Sequence, residues 1–264
     1  MAMPQAVVAP QPQTNAPYGL FSQTQFRPND GTRWLMGVDV DLRDRLDATM
    51  GIIDLNDICD IPDTDLKPSD VDFPEAKFYA FTVYASSQCS PLVGRAEVQA
   101  RAELNLLAQE EFEVEKKLWA RLVLDAATAT TVNEPTIAGL IAEMEKQGTA
   151  NLKGSLGLFH ADRNTALGML MKVADTSGDQ MGTKLGTPAV AGSGYGTEAD
   201  TETDTQVFFT SPLIAYRSDV YVPAGMDELF DAGNNDQYGF AARDYLIAYE
   251  PHATLVGTTP ERTN

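Results

Sequence analysis

Residues 95 to 122 read RAEVQARAELNLLAQEEFEVEKKLWARL, the longest helical pattern in the chain, and contain neither Gly nor Pro. The segment is rich in Ala, Leu, Glu, Lys and Arg, which are the strongest helix formers. At about 1.5 Å of rise per residue it makes a rod of roughly 42 Å, which is longer than a typical globular helix. We therefore predict one long helix, called the spine helix below, around which the rest of the chain is arranged.

One edge of the spine helix is predicted to face a core. At about 100° per residue, its main apolar side chains fall within one arc of somewhat less than half the circumference. They are Ala100, Leu104, Leu107, Ala108, Phe112, Val114, Leu118, Trp119 and Leu122. Glu111 and Glu115 project into the same arc, one turn apart, where two like charges repel each other. We therefore expect both carboxylates to meet cationic partners from elsewhere.

The composition is that of a folded, acidic protein. The chain has 264 residues, of which 43% are hydrophobic and 22% charged, and its formal net charge is -19. No run approaches the ~18 apolar residues of a membrane-spanning helix, so we expect a soluble protein without a membrane partner. The N-terminus lacks the charged start and apolar block of a signal peptide, which favours assembly in a cytoplasm. Direct affinity for nucleic acid is not expected, because neutralising phosphates needs clustered Lys and Arg.

No set of residues indicates a site of chemistry. Cys59 and Cys89 are too few and too far apart in the sequence for a metal cluster or a disulfide framework; two reduced thiols are the favoured interpretation, and a bridge between them is the alternative. His160 and His252 form no zinc motif, and His160 is interpreted as a hydrogen-bonded structural residue. We therefore predict no catalytic, cofactor-binding or metal-binding residue, no cofactor and no enzymatic activity.

The segments before the spine helix are predicted to be extended. Residues 1 to 31, rich in Pro, Gln, Asn and Thr, indicate an arm, and the spaced Phe21, Phe26 and Trp34 indicate that it docks. A short strand follows from Trp34. Residues 39 to 75 hold twelve acids and three bases, a net of -9. Their best calcium candidate, residues 54 to 65, has Ile where a ligand and the turn should be, so a solvated projecting loop is favoured over a metal site.

The segments around and after the spine helix alternate between strands and helices. Strands are predicted within residues 76 to 93, 156 to 159 and 206 to 225, and as a pair around Pro251. Helices are predicted over residues 134 to 147 and from Asp162, which is a suitable N-cap. The glycines of residues 181 to 196 fit neither a phosphate loop nor a dinucleotide turn, so we interpret them as tight backbone turns. Together these features indicate an α+β protein.

Five blocks of sequence follow one another in a characteristic order. They are FTVYASSQCSPLVG, ARAELNLLAQEEFEVEKKLW, GLFHADRNTAL, LGTPAVAGSGYG and NNDQYGFAARDYLIAYEPHATLVG, within residues 81 to 257. In this order and spacing they resemble the major capsid proteins of tailed bacteriophages, in particular those that infect actinobacteria, which have the Hong Kong ninety-seven fold.

The resemblance implies a division of the chain and a function. It implies an N-terminal arm at residues 1 to 44, an extended loop at 45 to 80, a peripheral domain with the spine helix at 81 to 124, an axial domain at 125 to 227, and a peripheral return with a C-terminal tail at 228 to 264. The function implied is self-assembly, through the arm and the extended loop, into hexamers and pentamers of an icosahedral head assembled in the host cytoplasm.

The resemblance also implies partners. The virion capsid would enclose double-stranded DNA without sequence-specific binding, and scaffolding, portal and decoration proteins are further partners. An alternative with the same fold is the shell of an encapsulin-type nanocompartment that encloses protein cargo. A hydrolase that uses the acid-rich loop is a third hypothesis, which no sequence feature supports.

The resemblance bears on Glu111 and Glu115 as well. In the family the spine helix packs next to the end of the chain, so Arg243 is a candidate partner for them, and a neighbouring subunit is the other. Relatives often carry an acid before this Arg, where the present chain has Ala242, so the ion pair of that acid is not expected here. We predict that Glu115→Gln weakens assembly or stability more than Glu113→Gln, whose side chain points to the solvated face.

Overall fold

The computed structural model describes residues 16–28, 34–40, 76–89, 94–196, 205–222, 230–231 and 236–260. Most of the predicted extended loop, the calcium candidate at residues 54 to 65 and Cys59 lie outside these ranges. Whether Cys59 and Cys89 pair therefore stays open.

Helices and strands alternate along the described chain. The helices are α1 (Leu20–Gln23), the spine helix α2 (Arg95–Asp125), α3 (Ile137–Asn151) and α4 (Arg163–Lys172), with short 3-10 turns at Trp34–Met36 and Pro251–Ala253. The strands are β1 (Phe26–Arg27), β2 (Val38–Val40), β3 (Ala76–Phe78), β4 (Phe81–Cys89), β5 (Thr130–Asn133), β6 (Leu158–Asp162), β7 (Ala174–Ser177), β8 (Gln180–Thr183), β9 (Pro188–Gly192), β10 (Thr205–Thr210), β11 (Ile214–Arg217), β12 (Phe230–Asp231), β13 (Asp236–Ala248) and β14 (Leu255–Thr259). This mixture confirms the predicted α+β class.

The spine helix has 31 residues and extends three residues beyond the predicted end. Glu97 lies in its first turn, where a negative charge is favourable beside the helix dipole. Its most regular row of buried side chains advances in steps of four residues: Val98, Ala102, Leu106, Glu110, Val114, Leu118 and Leu122. Four residues turn a helix by about 400°, so this row winds around the rod. Successive stretches of the helix therefore face different neighbours.

The predicted apolar arc is correct only from Val114 to the end of the spine helix. Four of its members are buried there: Val114, Leu118, Trp119 and Leu122. Three others are exposed, against the prediction: Leu104 at 65%, Leu107 at 45% and Phe112 at 38%. Ala100 is exposed as well. The prediction is wrong before Val114 because it assumed one fixed face along a helix whose buried row winds.

A five-stranded sheet packs against the first half of the spine helix. Its order is β1-β11-β13-β12, and β4 pairs with the other edge of β13, antiparallel from Phe81↔Tyr245 to Cys89↔Gln237. Val83 and Ala85 of β4 pack with the helix residues Ala102 and Leu106. The helix approaches β13 closely: a Cβ at Gly239 would lie 2.6 Å from the carbonyl oxygen of Val98.

A seven-stranded sheet lies beyond the spine helix in the order β5-β14-β10-β6-β9-β8-β7. Helices α3 and α4 cover it, with Leu140, Met144 and Met169 in the same core cluster as Phe159 and Phe209 of the sheet. The last two strands were predicted to pair around Pro251, and this is wrong. β13 belongs to the first sheet, whereas β14 lies between β5 and β10 in the second.

One of the apolar clusters among the described residues joins the two sheets. It combines Trp119 and Leu122 of the spine helix with Phe208 of the second sheet and Tyr245 of the first, and it includes Leu20 from the arm. A separate two-stranded sheet of β2 and β3 flanks residues 41–75. None of the described helices combines the length and the hydropathy that spanning a membrane requires.

Candidate functional site where the arm meets the spine helix

The candidate site lies where α1, part of the arm, crosses the middle of the spine helix. The backbone N–H of Leu20 donates to Glu115 Oε1 at 2.9 Å, and that of Phe21 donates to Glu111 Oε1 at 2.8 Å. From the other side, the N–H of Gly194 donates to Glu115 Oε2 at 2.9 Å. Both carboxylates are buried, Glu115 completely. The two acids therefore bind the backbone of two segments that are distant in sequence.

Cationic side chains were expected to bind Glu111 and Glu115, but backbone N–H groups bind them instead. Among the ion pairs formed between described residues, neither acid takes part. Arg163, at the start of α4, acts from a distance and lowers the pKa of both carboxyl groups. Its own guanidinium donates to the carbonyl oxygens of Pro17 at 3.1 Å and Ala191 at 3.4 Å. The two carboxylates are therefore stabilised by the positive ends of backbone N–H dipoles, whereas the sequence predicted cationic side chains.

Arg243, one of the two predicted sources of a partner for these acids, binds their neighbour Glu110 instead. Its Nη1 donates to both carboxylate oxygens of Glu110 at 2.9 Å, and the hydroxyl of Tyr245 donates to Glu110 Oε2 at 2.6 Å. The side chains of Arg243 and Glu110 are only 14% and 5% exposed. Burial and the bond to Glu110 raise the pKa of Tyr245 above its ordinary value, so this hydroxyl stays a donor. This ion pair fastens the spine helix to β13.

Burial dominates the electrostatics of the arm site. The pKa of Glu111 is raised from 4.5 to about 7, mainly by burial. The N–H of Phe21 and the charge of Arg163 oppose this rise, and the negative charges of Glu115 and Glu110 add to it. Burial likewise raises the pKa of Glu115, against the N–H groups of Gly194 and Leu20. Two acids one turn apart in a closed site thus hold a proton more strongly than exposed acids do.

Two glycines allow the backbone to come this close. A Cβ at Gly194 would lie 2.3 Å from the carbonyl oxygen of Phe112 and 2.9 Å from the amide nitrogen of Lys116, both backbone atoms of the spine helix. A Cβ at Gly19 would lie 2.4 Å from Glu111 Oε1. The sequence interpretation of residues 181 to 196 as tight turns suits Gly196, where φ is +73°, but missed the close approach at Gly194.

Aromatic side chains hold the rest of the arm. The ring centroids of Phe21 and Phe26 lie 6.0 and 5.9 Å from that of Tyr245, and the guanidinium of Arg217 lies over both phenylalanine rings. Trp34 stacks on Tyr216 at 5.8 Å and is 2% exposed. Strand β1 adds to the sheet in parallel with β11. The prediction that Phe21, Phe26 and Trp34 dock the arm is confirmed.

His160 anchors the turn that carries Gly194. Its Nδ1 lies 3.0 Å from the hydroxyl of Tyr195 and its Nε2 lies 3.0 Å from Oγ1 of Thr210. Since that Thr210 hydroxyl donates to the carbonyl oxygen of Ser211, it accepts from Nε2–H, and Nδ1 accepts from Tyr195. Burial lowers the pKa of His160 to about 3, so the ring is neutral. The interpretation of His160 as a structural histidine is confirmed.

The site is built to hold a peptide segment. Tyr195 stacks on Trp119 of the spine helix at 5.0 Å between ring centroids. The turn that carries Gly194 is therefore held by two contacts of Tyr195, one to His160 and one to Trp119. Among the described residues no three His, Cys, Asp or Glu side chains come close enough to hold a metal ion. What the arrangement offers is acceptors for backbone N–H groups, an aromatic cradle and a sheet edge. The sequence does not identify the groups that are bound, because they are backbone amides.

No protein-family model and no curated protein sequence matches the chain. Among solved structures, a chain from "Microbacterium phage Oxtober96" matches with a TM-score of 0.54 at 13% identity, over 99% of this chain and 96% of that chain. The chain has the Hong Kong ninety-seven fold. A chain from "Mycobacterium phage Bobi" matches with a TM-score of 0.51 at 11% identity, over 99% of this chain and 97% of that chain. The "holo-SrpI encapsulin complex from Synechococcus elongatus PCC 7942" matches with a TM-score of 0.47 at 12% identity, over 70% of this chain and 75% of that chain.

The Hong Kong ninety-seven fold predicted from the five sequence blocks is thereby confirmed. In this fold the arm site occupies the junction of the two sheets, because its parts come from the arm, the spine helix and the turn after β9. The division into arm, loop, peripheral domain and axial domain stays a prediction.

Proposed function

We propose that the chain is a structural shell subunit, the major capsid protein of a tailed bacteriophage, which self-assembles into hexamers and pentamers around double-stranded DNA. The observation that carries the proposal is the likeness of fold to the chain from Microbacterium phage Oxtober96, which extends over 99% of this chain. Because a fold by itself does not fix a function, further support has to come from the surface of the molecule.

Exposed apolar side chains on the spine helix support self-association. Leu104, Leu107 and Phe112 share one side of the rod and are 65%, 45% and 38% exposed. Single exposed apolar residues are normal, whereas a row of them on one face is typical of an interaction surface. In a shell, the occupant of this face is a second copy of the chain.

The charge of the chain suits a container for DNA. A net charge of -19 repels a packed polyanion, so the wall does not bind its contents. In this proposal the head is assembled in the host cytoplasm and becomes part of the virion. Scaffolding, portal and decoration proteins are its further partners.

The proposed domains follow the two sheets. The first sheet and the spine helix form the peripheral domain, and the second sheet with α3 and α4 forms the axial domain. Strand β11 lies within the predicted axial range of residues 125 to 227 but pairs with β13 of the first sheet, so we assign it to the peripheral domain. Because β14 pairs with β10 and β5, we assign Leu255–Thr259 to the axial domain as well. The chain would then pass between the two domains three times, whereas the division implied by the resemblance requires two passages.

Electron microscopy of the purified full chain tests the proposal. Uniform closed shells or rings of capsomers are expected, and Leu104→Glu should reduce their yield at least tenfold if a second copy covers the exposed face. Asn105→Glu, which adds the same charge at an already polar exposed position, is the matched control. A strictly monomeric chain under all assembly conditions would contradict the proposal.

The contents of particles recovered from infected or expressing cells decide between the two kinds of shell. DNA together with a portal vertex is expected for a phage head. Protein cargo without DNA would contradict the phage proposal and favour the nanocompartment.

A further inference from the structure

Helix α1 of the arm covers the carboxylates of Glu111 and Glu115. Leu20 is completely buried, and the position of a Cβ on Gly19 lies 2.4 Å from Glu111 Oε1 and 3.1 Å from Glu115 Oε1. If α1 left the spine helix, each carboxylate would lose an N–H donor and gain access to water. The environment of these acids therefore depends on whether the arm is docked.

We propose that the arm and the pair Glu111 and Glu115 form a proton-linked latch, in which the docked arm is favoured when the pair holds one proton and is released when both acids are ionised. The latch is a property of the single chain. It would stand if no shell formed, and its failure would leave the shell proposal intact.

Backbone N–H groups of four residues serve the two carboxylates: those of Leu20, Phe21 and Gly194, and that of Ser193, which lowers the pKa of Glu115. Leu20, Phe21 and Gly194 each donate one hydrogen bond at 2.8 to 2.9 Å. With one proton bound, these dipoles face one negative charge. With no proton, the same dipoles face two charges one turn apart, away from water, and like charges in such a site repel strongly. Opening the arm relieves that repulsion by letting water solvate both acids.

The surrounding charges do not compensate the pair fully. On the spine helix the other nearby acid is Glu110, which Arg243 of β13 already neutralises. Arg163 of α4 attracts both carboxylates. On the turn after β9 lies the neutral Tyr195, whose pKa burial and the two acids raise well above its usual value. The guanidinium of Arg217 on β11 lies over the ring of Phe21.

The direction of the pH dependence follows from the two states of Glu111. In the docked arm its pKa is raised to about 7, and with the arm released it falls toward the ordinary 4.5. The docked state therefore binds the proton more strongly, and docking is strongest below about pH 4.5 and weakens as the pH rises to about 7. The ceiling of the effect is about 300-fold in the docking equilibrium, the full difference between the two pKa values.

Amide hydrogen exchange of Leu20 and Phe21 in the full chain tests the latch. Rates are corrected for intrinsic exchange and referred to amides of the spine helix. Between pH 5.5 and pH 8 the protection of these two amides should fall about 30-fold, as the pKa difference of Glu111 requires. In Glu111→Gln the side-chain carbonyl oxygen still accepts from the N–H of Phe21 but carries no charge. In this variant the protection of the Leu20 and Phe21 amides should therefore fall less than threefold over the same pH range. Glu113→Gln, at an exposed position of the same helix, should behave as the parent chain.

Two results would overturn the latch. One is equal protection of the arm amides at both pH values in the parent chain, a measurement that needs no variant. The other is a fall as large as in the parent chain in both Glu111→Gln and Glu115→Gln, because the linked proton would then bind outside the pair.

Discussion

Glu110 and Glu115 lie little more than one turn apart on the same helix and are equally inaccessible, yet they are satisfied in opposite ways. Glu110 is neutralised by the side chain of Arg243 and accepts a further hydrogen bond from the hydroxyl of Tyr245 on the same strand. Glu115 accepts hydrogen bonds from backbone N–H groups, including those of Leu20, 95 positions earlier, and Gly194, 79 positions later. The first site joins a helix to its own sheet with matched charges. The Glu115 site joins three separate segments through hydrogen bonds from backbone dipoles. We therefore expect the Glu110 ion pair to stay closed and the contact between the arm and Glu115 to be able to open.

The largest effect is expected from removing the charge that the first site depends on. Arg243→Met leaves Glu110 buried without its cation, which should lower the free energy of unfolding by about 3–5 kcal/mol. Urea denaturation of the unassembled chain measures this. The control is Arg101→Met, which removes the exposed pair with Glu97 and should cost about 0.5 kcal/mol or less. Equal losses in the free energy of unfolding would mean that the buried pair of Glu110 and Arg243 stabilises the chain no more than an exposed ion pair does.

The second-largest effect is expected where the turn touches the helix. Gly194→Ala brings a Cβ against the backbone of Phe112, and backbone atoms cannot rotate away as a side chain can. We expect a loss of about 2–3 kcal/mol in the free energy of unfolding. Gly94→Ala meets open space at the start of the spine helix and should change stability by only about 0.5 kcal/mol. A tolerated Gly194→Ala would show that the turn stands farther from the helix than described.

A smaller loss is expected from Glu115→Gln. The amide has one carbonyl oxygen for two N–H donors, and its own NH₂ group would face the second donor. Measured at pH 5.5, where the pair holds a proton in the parent chain and the substitution relieves no repulsion between two ionised acids, the free energy of unfolding should fall by about 2 kcal/mol, the cost of a buried unsatisfied donor. Glu113→Gln, on the exposed face, should stay within about 0.5 kcal/mol of the parent chain. Equal, negligible effects would contradict the buried position of Glu115.

The smallest effect is expected from Tyr245→Phe. It removes one donor from Glu110 but leaves the ion pair with Arg243, so the carboxylate keeps a partner on each oxygen. A loss of about 1 kcal/mol is expected in thermal or urea unfolding. Tyr238→Phe, on the same strand, is the matched control. A loss as large as that of Arg243→Met would show that the hydroxyl, and not the cation, neutralises the site.

The sequence predicted the long helix, the α+β class and the docking of the arm, because each has a local signal. The spine helix has no breaker over its whole length, and Phe21, Phe26 and Trp34 are too apolar for a free arm. The buried face was predicted poorly because Val98, Ala102 and Leu106 form a row that only the position of β4 and β13 explains.

The arm site could not be predicted, for a different reason. A carboxylate one turn from another suggests a cation, and Arg243 is the obvious candidate in the sequence. The groups that bind Glu111 and Glu115 are amides of Leu20, Phe21 and Gly194, and every residue except proline has such an amide. The one available signal was Gly194 itself, which was interpreted as part of a turn.

The place of β14 constrains how the chain is made. This strand lies between β5 and β10, both of which leave the ribosome before it. Until β14 is made, each of these two strands lacks this partner, and unpaired strand edges invite wrong pairing with other chains. The second sheet can therefore be completed only after Thr259 has been translated.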